Sequence, residues 1–293
     1  MLINCSNSTL NLANKIAYNC NLDIAHLNFT KFSNQELWLN IEQKIEAEKI
    51  YLLQDLMHNP HERLFELMLA ADSIKNLNAA TKITAIIPYL CYSRQDRRFQ
   101  AGASLASNLV LKLLGASLID TIISIDLHNP DVMNFFNGNF INLSPANIFS
   151  EHIKHNIELT NAVIIAPDNG ARLRAKNVAN IVGLNIVVAT KNRGPAITFD
   201  FDYDIKNKNC IIIDDLIDGG GTIFALSELL SSKGASNIYA YASHGLFSGN
   251  FFENIQKSQV KSIAILDITE QDYNCSKILK LDCDKIFDNI SIY

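Results

Sequence analysis

No apolar run in this sequence approaches the roughly 18 residues that a membrane span requires. The longest, such as Ile83–Pro88 and Cys210–Ile213, fall far short, and the sequence predicts no transmembrane helix. The amino terminus, MLINCSNSTLNLANKI, has no basic start followed by a continuous apolar block, so no cleaved secretory leader is expected and the cytosol is the expected compartment. Paired cysteines are missing as well. Cys5, Cys20, Cys91, Cys210, Cys275 and Cys283 are scattered without a Cys-x-x-Cys pair, which fits neither a zinc site nor a disulfide framework and leaves buried or free thiols. Positive charge is not in excess: 25 Lys and Arg against 30 Asp and Glu give a net charge of −5, which argues against a broad grip on a nucleic-acid backbone.

What the chain does have is material for a core. With 48% hydrophobic and 19% charged residues it is not a disordered polymer. Its 293 residues are about twice the ~150 at which one core is comfortable, so two domains are expected. Apolar, β-branched runs at Ile50–Leu53, Ile83–Pro88, Thr121–Ile125, Ala162–Ala166, Ile186–Ala189, Cys210–Ile213, Ile238–Ala242 and Ser262–Leu266 take turns with stretches of helical spacing. That alternation predicts an α/β fold, a mostly parallel sheet flanked by helices. Near Asn59 the local logic is explicit: Asn59 as cap, Pro60 at the first helical position, Glu62 three after the cap, then Leu64, Leu67, Met68, Ala71 and Ile74 on one face. Ser144 and Pro145 open another helix, and Gly115, Gly183 and Gly234 follow helical runs as stops.

The chain also repeats itself loosely. ITAIIPYLCYSRQDRR from Ile83 resembles VIIAPDNGARLRAK from Val163, each an apolar strand, a proline, then a loop with arginines. TIISIDLHNP from Thr121 resembles CIIIDDLIDGGG from Cys210, each a buried strand whose end carries aspartate. Two duplicated α/β halves are therefore expected, residues 1–143 and 144–293, with the last residues able to pack back on the first half.

The sharpest segment is Cys210–Thr222, CIIIDDLIDGGGT, where a buried strand ends in two carboxylates and a glycine-rich turn leads into a helix. Ligands of open α/β sheets bind beyond the carboxyl ends of strands, where a helix N-terminus receives an anion. Gly219, Gly220 and Gly221 let backbone N–H groups approach a phosphate, Thr222 adds a hydroxyl, and Asp218 opens the turn. Asp214 and Asp215 repel a phosphate but suit a neutral diol or a magnesium ion carried by a nucleotide. A ribose 5-phosphate satisfies both halves of the loop.

This loop resembles the phosphoribosyl-binding loop of type I phosphoribosyltransferases. Further segments in order along the chain narrow the likeness to ribose-phosphate diphosphokinases: FSNQE at Phe32–Glu36, IIPYLCYSRQDR at Ile86–Arg97, SIDLHNPDVMNFF at Ser124–Phe136, NLSP at Asn142–Pro145, IIAPDNGARLRAKNVA, KNR at Lys191–Arg193, DIKNK at Asp204–Lys208, and YASHGLFSG at Tyr241–Gly249. The resemblance implies two similar phosphoribosyltransferase-type domains, an ATP and metal side in the first half and a ribose 5-phosphate side in the second. It implies transfer of the diphosphoryl group of ATP to the anomeric hydroxyl of ribose 5-phosphate, with Mg2+ as cofactor.

By the same resemblance, Phe32, Asn34, Gln35, Glu36, Arg94 and Gln95 fall on the ATP site, and Asp214, Asp215, Asp218, Gly219, Gly220, Gly221 and Thr222 on the ribose 5-phosphate site. His128 and Asp168 fall on the metal positions, and Lys191 and Arg193 on a mobile catalytic loop that would clamp the transferring group and exclude water. It also implies a cytoplasmic homo-oligomer in which the Phe32–Glu36 loop reaches a neighbouring subunit. Asn34 and Gln35 depart from the family's usual Phe-Ser-Asp-Gly-Glu, and Gly219 removes a hydroxyl from the acceptor turn. The alternatives are an inactive regulatory paralogue, which damage at Lys191, Arg193 or His128 would have favoured, and a phosphoribosyltransferase, which would not need the upstream segments.

Overall fold

The computed structural model describes residues 1–42, 46–193, 197–288 and 290, with residues 191–193 and 197 described by their backbone. They form two compact units, Met1–Leu143 with Ile268–Gln271 and Asp284–Tyr293, and Ser144–Asp267 with Asp272–Cys283. The chain thus returns to the first unit twice after leaving it.

The first unit runs β1 (Leu2–Asn4), α1 (Leu10–Asn19), β2 (Ile24–His26), a small antiparallel hairpin of β3 (Thr30–Lys31) and β4 (Leu37–Trp38), β5 (Lys49–Leu53), α2 (Pro60–Leu77), β6 (Lys82–Ile86), α3 (Ala106–Ala116), β7 (Thr121–Ile125) and β8 (Asn139–Leu143). Its six-stranded parallel sheet has the order β2-β1-β5-β6-β7-β8. The second unit runs α4 (Ala146–Asn156), β9 (Ala162–Ala166), α5 (Arg172–Val182), β10 (Ile186–Val188), the antiparallel pair β11 (Thr190–Arg193) and β12 (Ile197–Asp200), β13 (Asn209–Ile217), α6 (Gly221–Ser232), β14 (Asn237–Gly245), α7 (Phe251–Lys257), β15 (Ser262–Leu266) and β16 (Ile278–Leu281). Its parallel sheet has the order β10-β9-β13-β14-β15-β16.

Central strands read as continuous apolar runs because both faces of a parallel sheet are covered. Ile50, Leu52 and Leu53 of β5 are fully buried, as are Ile211 and Ile212 of β13. On α2 the apolar stripe Leu64, Leu67, Ala71 and Ile74 is buried against the sheet core of Ile50, Leu52, Ile83 and Ala85. Strands β1, β2, β8 and β16 escape sequence reading because they are three to five residues long and carry polar or half-exposed positions.

Three local expectations change. Asn59 does stand before α2, but it lies in the left-handed region (φ 49°) and its side chain makes no capping bond. Gly115 lies inside the last turn of α3, and the reversal falls at Leu118 (φ 63°); Gly183 (φ 73°) does end α5. Arg172 and Arg174, read as loop residues, lie in the first turn of α5. All six cysteines are free thiols, and burial pushes those of Cys91 and Cys210 up to about 12.

Counted in chain order, the sheet strands of both units read 2-1-3-4-5-6, so the duplication is real in topology. It is not the one the sequence segments suggested. By position in the sheet, β13 is the counterpart of β5 and β9 of β1, whereas the matched runs were β7 with β13 and β6 with β9. Buried parallel strands resemble one another whatever their place in the sheet. In each unit the order reverses between the first and third strands, β1 with β5 and β9 with β13, and that reversal opens the crevice where such sheets bind ligands.

In the first unit the loop after β5 is bonded within itself, beside a cavity of about 320 Å³ lined by Ser8, His58, Thr269, Glu270 and Gln271. The carboxylate of Asp55, just past β5, accepts from Met57 N–H (2.7 Å), Ser8 Oγ (2.9 Å) and His58 Nδ1 (2.9 Å). Residue 270 closes over it, with Glu270 N–H donating to the Ser8 carbonyl and Glu270 Oε1 accepting from Asn11 N–H. Burial pushes the Asp55 carboxyl up, but these bonds outweigh it and hold it below the usual carboxylate range. The bond to Asp55 raises the His58 imidazole against its partial burial, helped by Gln271 and opposed by Arg63. The raised His58 contributes stability that is complete below its unfolded value of about 6.5 and is lost as pH rises through the higher folded value. The lowered Asp55 contributes stability that is lost only as pH falls through a folded value below about 3.9. Urea unfolding at about pH 6 and about pH 8.5 should therefore show a stability loss on the alkaline side that shrinks in His58→Ala. An identical pH dependence in the two proteins would contradict the pairing.

Candidate active site

In the second unit the same crevice is open to chemistry. Strand β13 does not stop at the acidic pair, as the sequence suggested, but runs on to Ile217 because Leu216 and Ile217 still pair with β14; Asp214 and Asp215 lie in its C-terminal half, their side chains 17% and 6% exposed. Asp214 Oδ1 accepts the Asp215 N–H at 3.0 Å. Arg174, from the first turn of α5, places Nη1 3.2 Å from Asp215 Oδ1 and 3.9 Å from Asp214 Oδ1. Burial, with Asp215 beside it, holds the Asp214 carboxyl well above the usual carboxylate range, and Arg174 opposes that rise.

The turn that follows is built for close approach. Gly220 adopts φ 78° as the residue before α6, and a Cβ there would collide with the Phe224 ring one helical turn on. Helix α6 begins at Gly221, so its first-turn N–H groups and positive dipole end face the loop Asp218–Gly220. Asp218 is held by a hydrogen bond from Ser248 Oγ, in the loop after β14, and Ser248 also forms the nearest wall beside Gly219 at 3.9 Å. Across the crevice, Asp168 follows β9 and closes the turn before α5 by accepting Ala171 N–H at 3.1 Å. Asp168, Asp214, Asp215 and the Asp218–Thr222 turn therefore share one crevice at the strand ends of one sheet.

Sequence reading passed over Arg174 and Ser248. Both lie in quoted segments, PDNGARLRAK and HGLFSG, and the available signal was a cation or hydroxyl one loop away from an acidic strand end.

The first unit holds the other group. Arg94 and Gln95 are exposed in the loop after β6, where Gln95 is pinned by Ser107 Oγ and N–H donating to its carbonyl. His128 is exposed in the loop after β7. That loop leaves the strand through Asp126 in the left-handed region (φ 48°), a strained turn for a non-glycine residue. Leu127 N–H donates to Asn142 Oδ1 at 3.0 Å, and Asn129 Nδ2 donates to Asp96 Oδ2 at 2.7 Å. The last bond ties the Arg94–Gln95 loop to the His128 loop.

Phe32–Glu36 is the exposed turn of the β3–β4 hairpin, closed by Phe32 N–H to the Glu36 carbonyl and Gln35 N–H to the Phe32 carbonyl. Gln35 sits at φ 72°, the conformation that glycine adopts freely, and Asn34 Oδ1 accepts Glu36 N–H as an aspartate would. The substitutions thus preserve the turn's backbone shape.

His128 and Asp168, expected as metal partners, lie in different units. Lys191 and Arg193 lie on β11, not in the loop the sequence suggested: their backbone pairs with β12 in the register Lys191↔Phe199 and Arg193↔Ile197. A Lys-Asn-Arg run has no apolar alternation to announce a strand. Their side chains and residues 194–196 lie outside the description.

Two sheets of one strand order, one with an acidic strand end and a glycine turn at its crevice, define an α/β protein of the phosphoribosyltransferase type. The comparisons with known proteins sharpen that class. Residues 1–117 match the N-terminal domain of ribose phosphate pyrophosphokinase, and residues 189–291 match the phosphoribosyl synthetase-associated domain. The ribose-phosphate pyrophosphokinase of Aquifex aeolicus is 32% identical over 263 residues, 89% of this chain and 84% of that protein. That of Campylobacter jejuni is 31% identical over the same shares of the two chains. The crystal structure of phosphoribosylpyrophosphate synthetase from Mycobacterium smegmatis has the same fold, with a TM-score of 0.90 at 24% identity over 99% of this chain and 96% of that one. The chain belongs to the ribose-phosphate pyrophosphokinase family. Among the described residues, no helix is long and apolar enough to cross a membrane.

Gly220→Ala should destabilise the protein by about 1–2 kcal/mol through its left-handed backbone, with a further cost from moving Phe224. Denaturant unfolding checks this, and a neutral result would show that the turn relaxes.

Proposed function

We propose that this chain transfers the β,γ-diphosphoryl group of ATP to the anomeric hydroxyl of ribose 5-phosphate, releasing AMP and giving phosphoribosyl pyrophosphate. This is the diphosphotransferase activity of its family. The observation that carries the residue-level reading is the crevice of the second unit, where a buried acidic pair and a glycine turn at a helix start adjoin at one strand end.

In this reading the first-turn amides of α6 and Thr222 receive the 5-phosphate, at the positive end of the helix dipole. Asp214 and Asp215 hydrogen-bond the ring hydroxyls. Arg94, Gln95 and the Phe32–Glu36 turn hold ATP, the guanidinium serving both adenine stacking and phosphate pairing. Lys191 and Arg193 balance charge on the transferring group, and closure of their hairpin would exclude water, the competing nucleophile.

Magnesium belongs to the same proposal. Among the described residues, no group of three or more His, Cys, Asp or Glu gathers into a protein-only metal cage. Single donors at strand ends, the His128 imidazole and the Asp168 carboxylate, fit an ion that keeps waters and is carried by substrate phosphates. When bound, the ion neutralises charge on the phosphate oxygens. The implied homo-oligomer is supported by Phe32 and Trp38, 54% and 48% exposed on the β3–β4 hairpin, which present aromatic surface for a neighbouring copy.

Incubation with ATP, magnesium and ribose 5-phosphate should yield AMP, and Lys191→Ala should slow it by about a thousandfold, the scale of a lost transition-state cation. ADP as product would indicate an ordinary γ-phosphoryl kinase. AMP at background, unchanged by Lys191→Ala, would overturn the catalytic reading.

A further inference from the structure

Arg174 has a place in the crevice that none of the site residues explains. It leaves the first turn of α5, its side chain is 12% exposed, and its Nη1 reaches Asp215 Oδ1 at 3.2 Å and Asp214 Oδ1 at 3.9 Å. The turn that leads into α5 is closed locally, Ala171 N–H donating to Asp168 Oδ1 at 3.1 Å. One guanidinium thus fixes the acidic end of the third sheet strand to the helix that follows the first.

The pair it touches has an exacting task. A carboxylate can bind a vicinal diol only while both its oxygens are turned outward as acceptors. Two neighbouring acids removed from water repel each other when both are charged, and turn toward each other when they share a proton. Here the two acids are in contact with each other, and the Arg174 guanidinium, with Nη1 nearer Asp215 than Asp214, is the cation that opposes their closing on one another. The first unit makes the contrast at its own crevice. There Asp55 is satisfied by Ser8, His58 and a backbone amide, and an arginine is not its partner in those bonds. That carboxylate is spent on the fold, whereas the Asp214–Asp215 pair is held by a side chain.

We propose that Arg174 is a positioning residue for sugar selection: by orienting the Asp214 and Asp215 carboxylates toward both ring hydroxyls, it makes the site prefer ribose 5-phosphate to 2-deoxyribose 5-phosphate. The inference rests on the reading of the β13–α6 crevice as the acceptor site. A site built to pair with a hydroxyl rejects the analogue lacking it, because its polar groups are left unpaired. Loosening the pair therefore erodes the preference before it erodes the chemistry.

The test compares kcat/KM for the two sugars in wild type, Arg174→Gln, Arg174→Lys and Asp214→Asn. In Arg174→Gln the preference should fall about tenfold or more, chiefly through KM for ribose 5-phosphate, with KM for ATP within about twofold of wild type. Arg174→Lys should lie between the two. Equal losses for both sugars in Arg174→Gln would assign Arg174 a structural role and overturn the proposal, as would an unchanged preference. If Arg174→Gln does not fold, Arg174→Lys is read instead, and a wild-type preference there overturns it. Asp214→Asn separates the two levels: if it lowers the preference while the Arg174 variants do not, only this inference fails. If it leaves the preference intact, the acceptor-site reading fails and the inference with it.

Discussion

A parallel sheet buried on both faces leaves its strands no place for polar chemistry except their ends. Ile50–Leu53 and Cys210–Ile213 are buried almost throughout, and acidic groups follow them toward the carboxyl ends, Asp55 just past β5 and Asp214 late in β13. The strand order reverses between the first and third strands, and the loops there diverge. In the second unit Asp168 stands on one side of that gap and the acidic pair and glycine turn on the other.

The two units answer the same geometry differently. In the first, the turn after β5 enters its helix through Asn59 and Pro60, and Pro60 has no N–H to offer an anion. Its aspartate is consumed by Ser8, Met57 and His58. In the second, the exposed Gly219 and Gly221 flank a buried Gly220 in place of that closed entry, and Gly220 takes a conformation with φ 78° that glycine tolerates without a clash. One topology thus carries two differently built loops after its third strand, and the difference lies in a few residues.

Much of the organisation was legible in the chain. The eight apolar runs all became strands, because a buried strand must be apolar along its length, and the helix from Pro60 declared both its start and its inward face. The acidic pair and glycine turn were legible for the same reason: they break an apolar run abruptly at a strand end. The repeat was read in the wrong register, since burial makes Thr121–Ile125 and Cys210–Ile213 look alike although they occupy different places in their sheets. Arg174 was read as a loop arginine, since nothing in PDNGARLRAK shows that a helix begins at Arg172 and aims the side chain at Asp215.

By itself the sequence determined the class of fold and the family, because those depend on residue type, on short spacing and on the alternation of apolar runs. Only the tertiary structure decided which strands are neighbours and that β11 is half of a hairpin. It also decided that Gln35 keeps a glycine's conformation and that Arg174 and Ser248 stand beside the acidic loop. These are contacts between segments far apart in the chain, and a linear pattern carries no term for them until the sheet has brought the strand ends together.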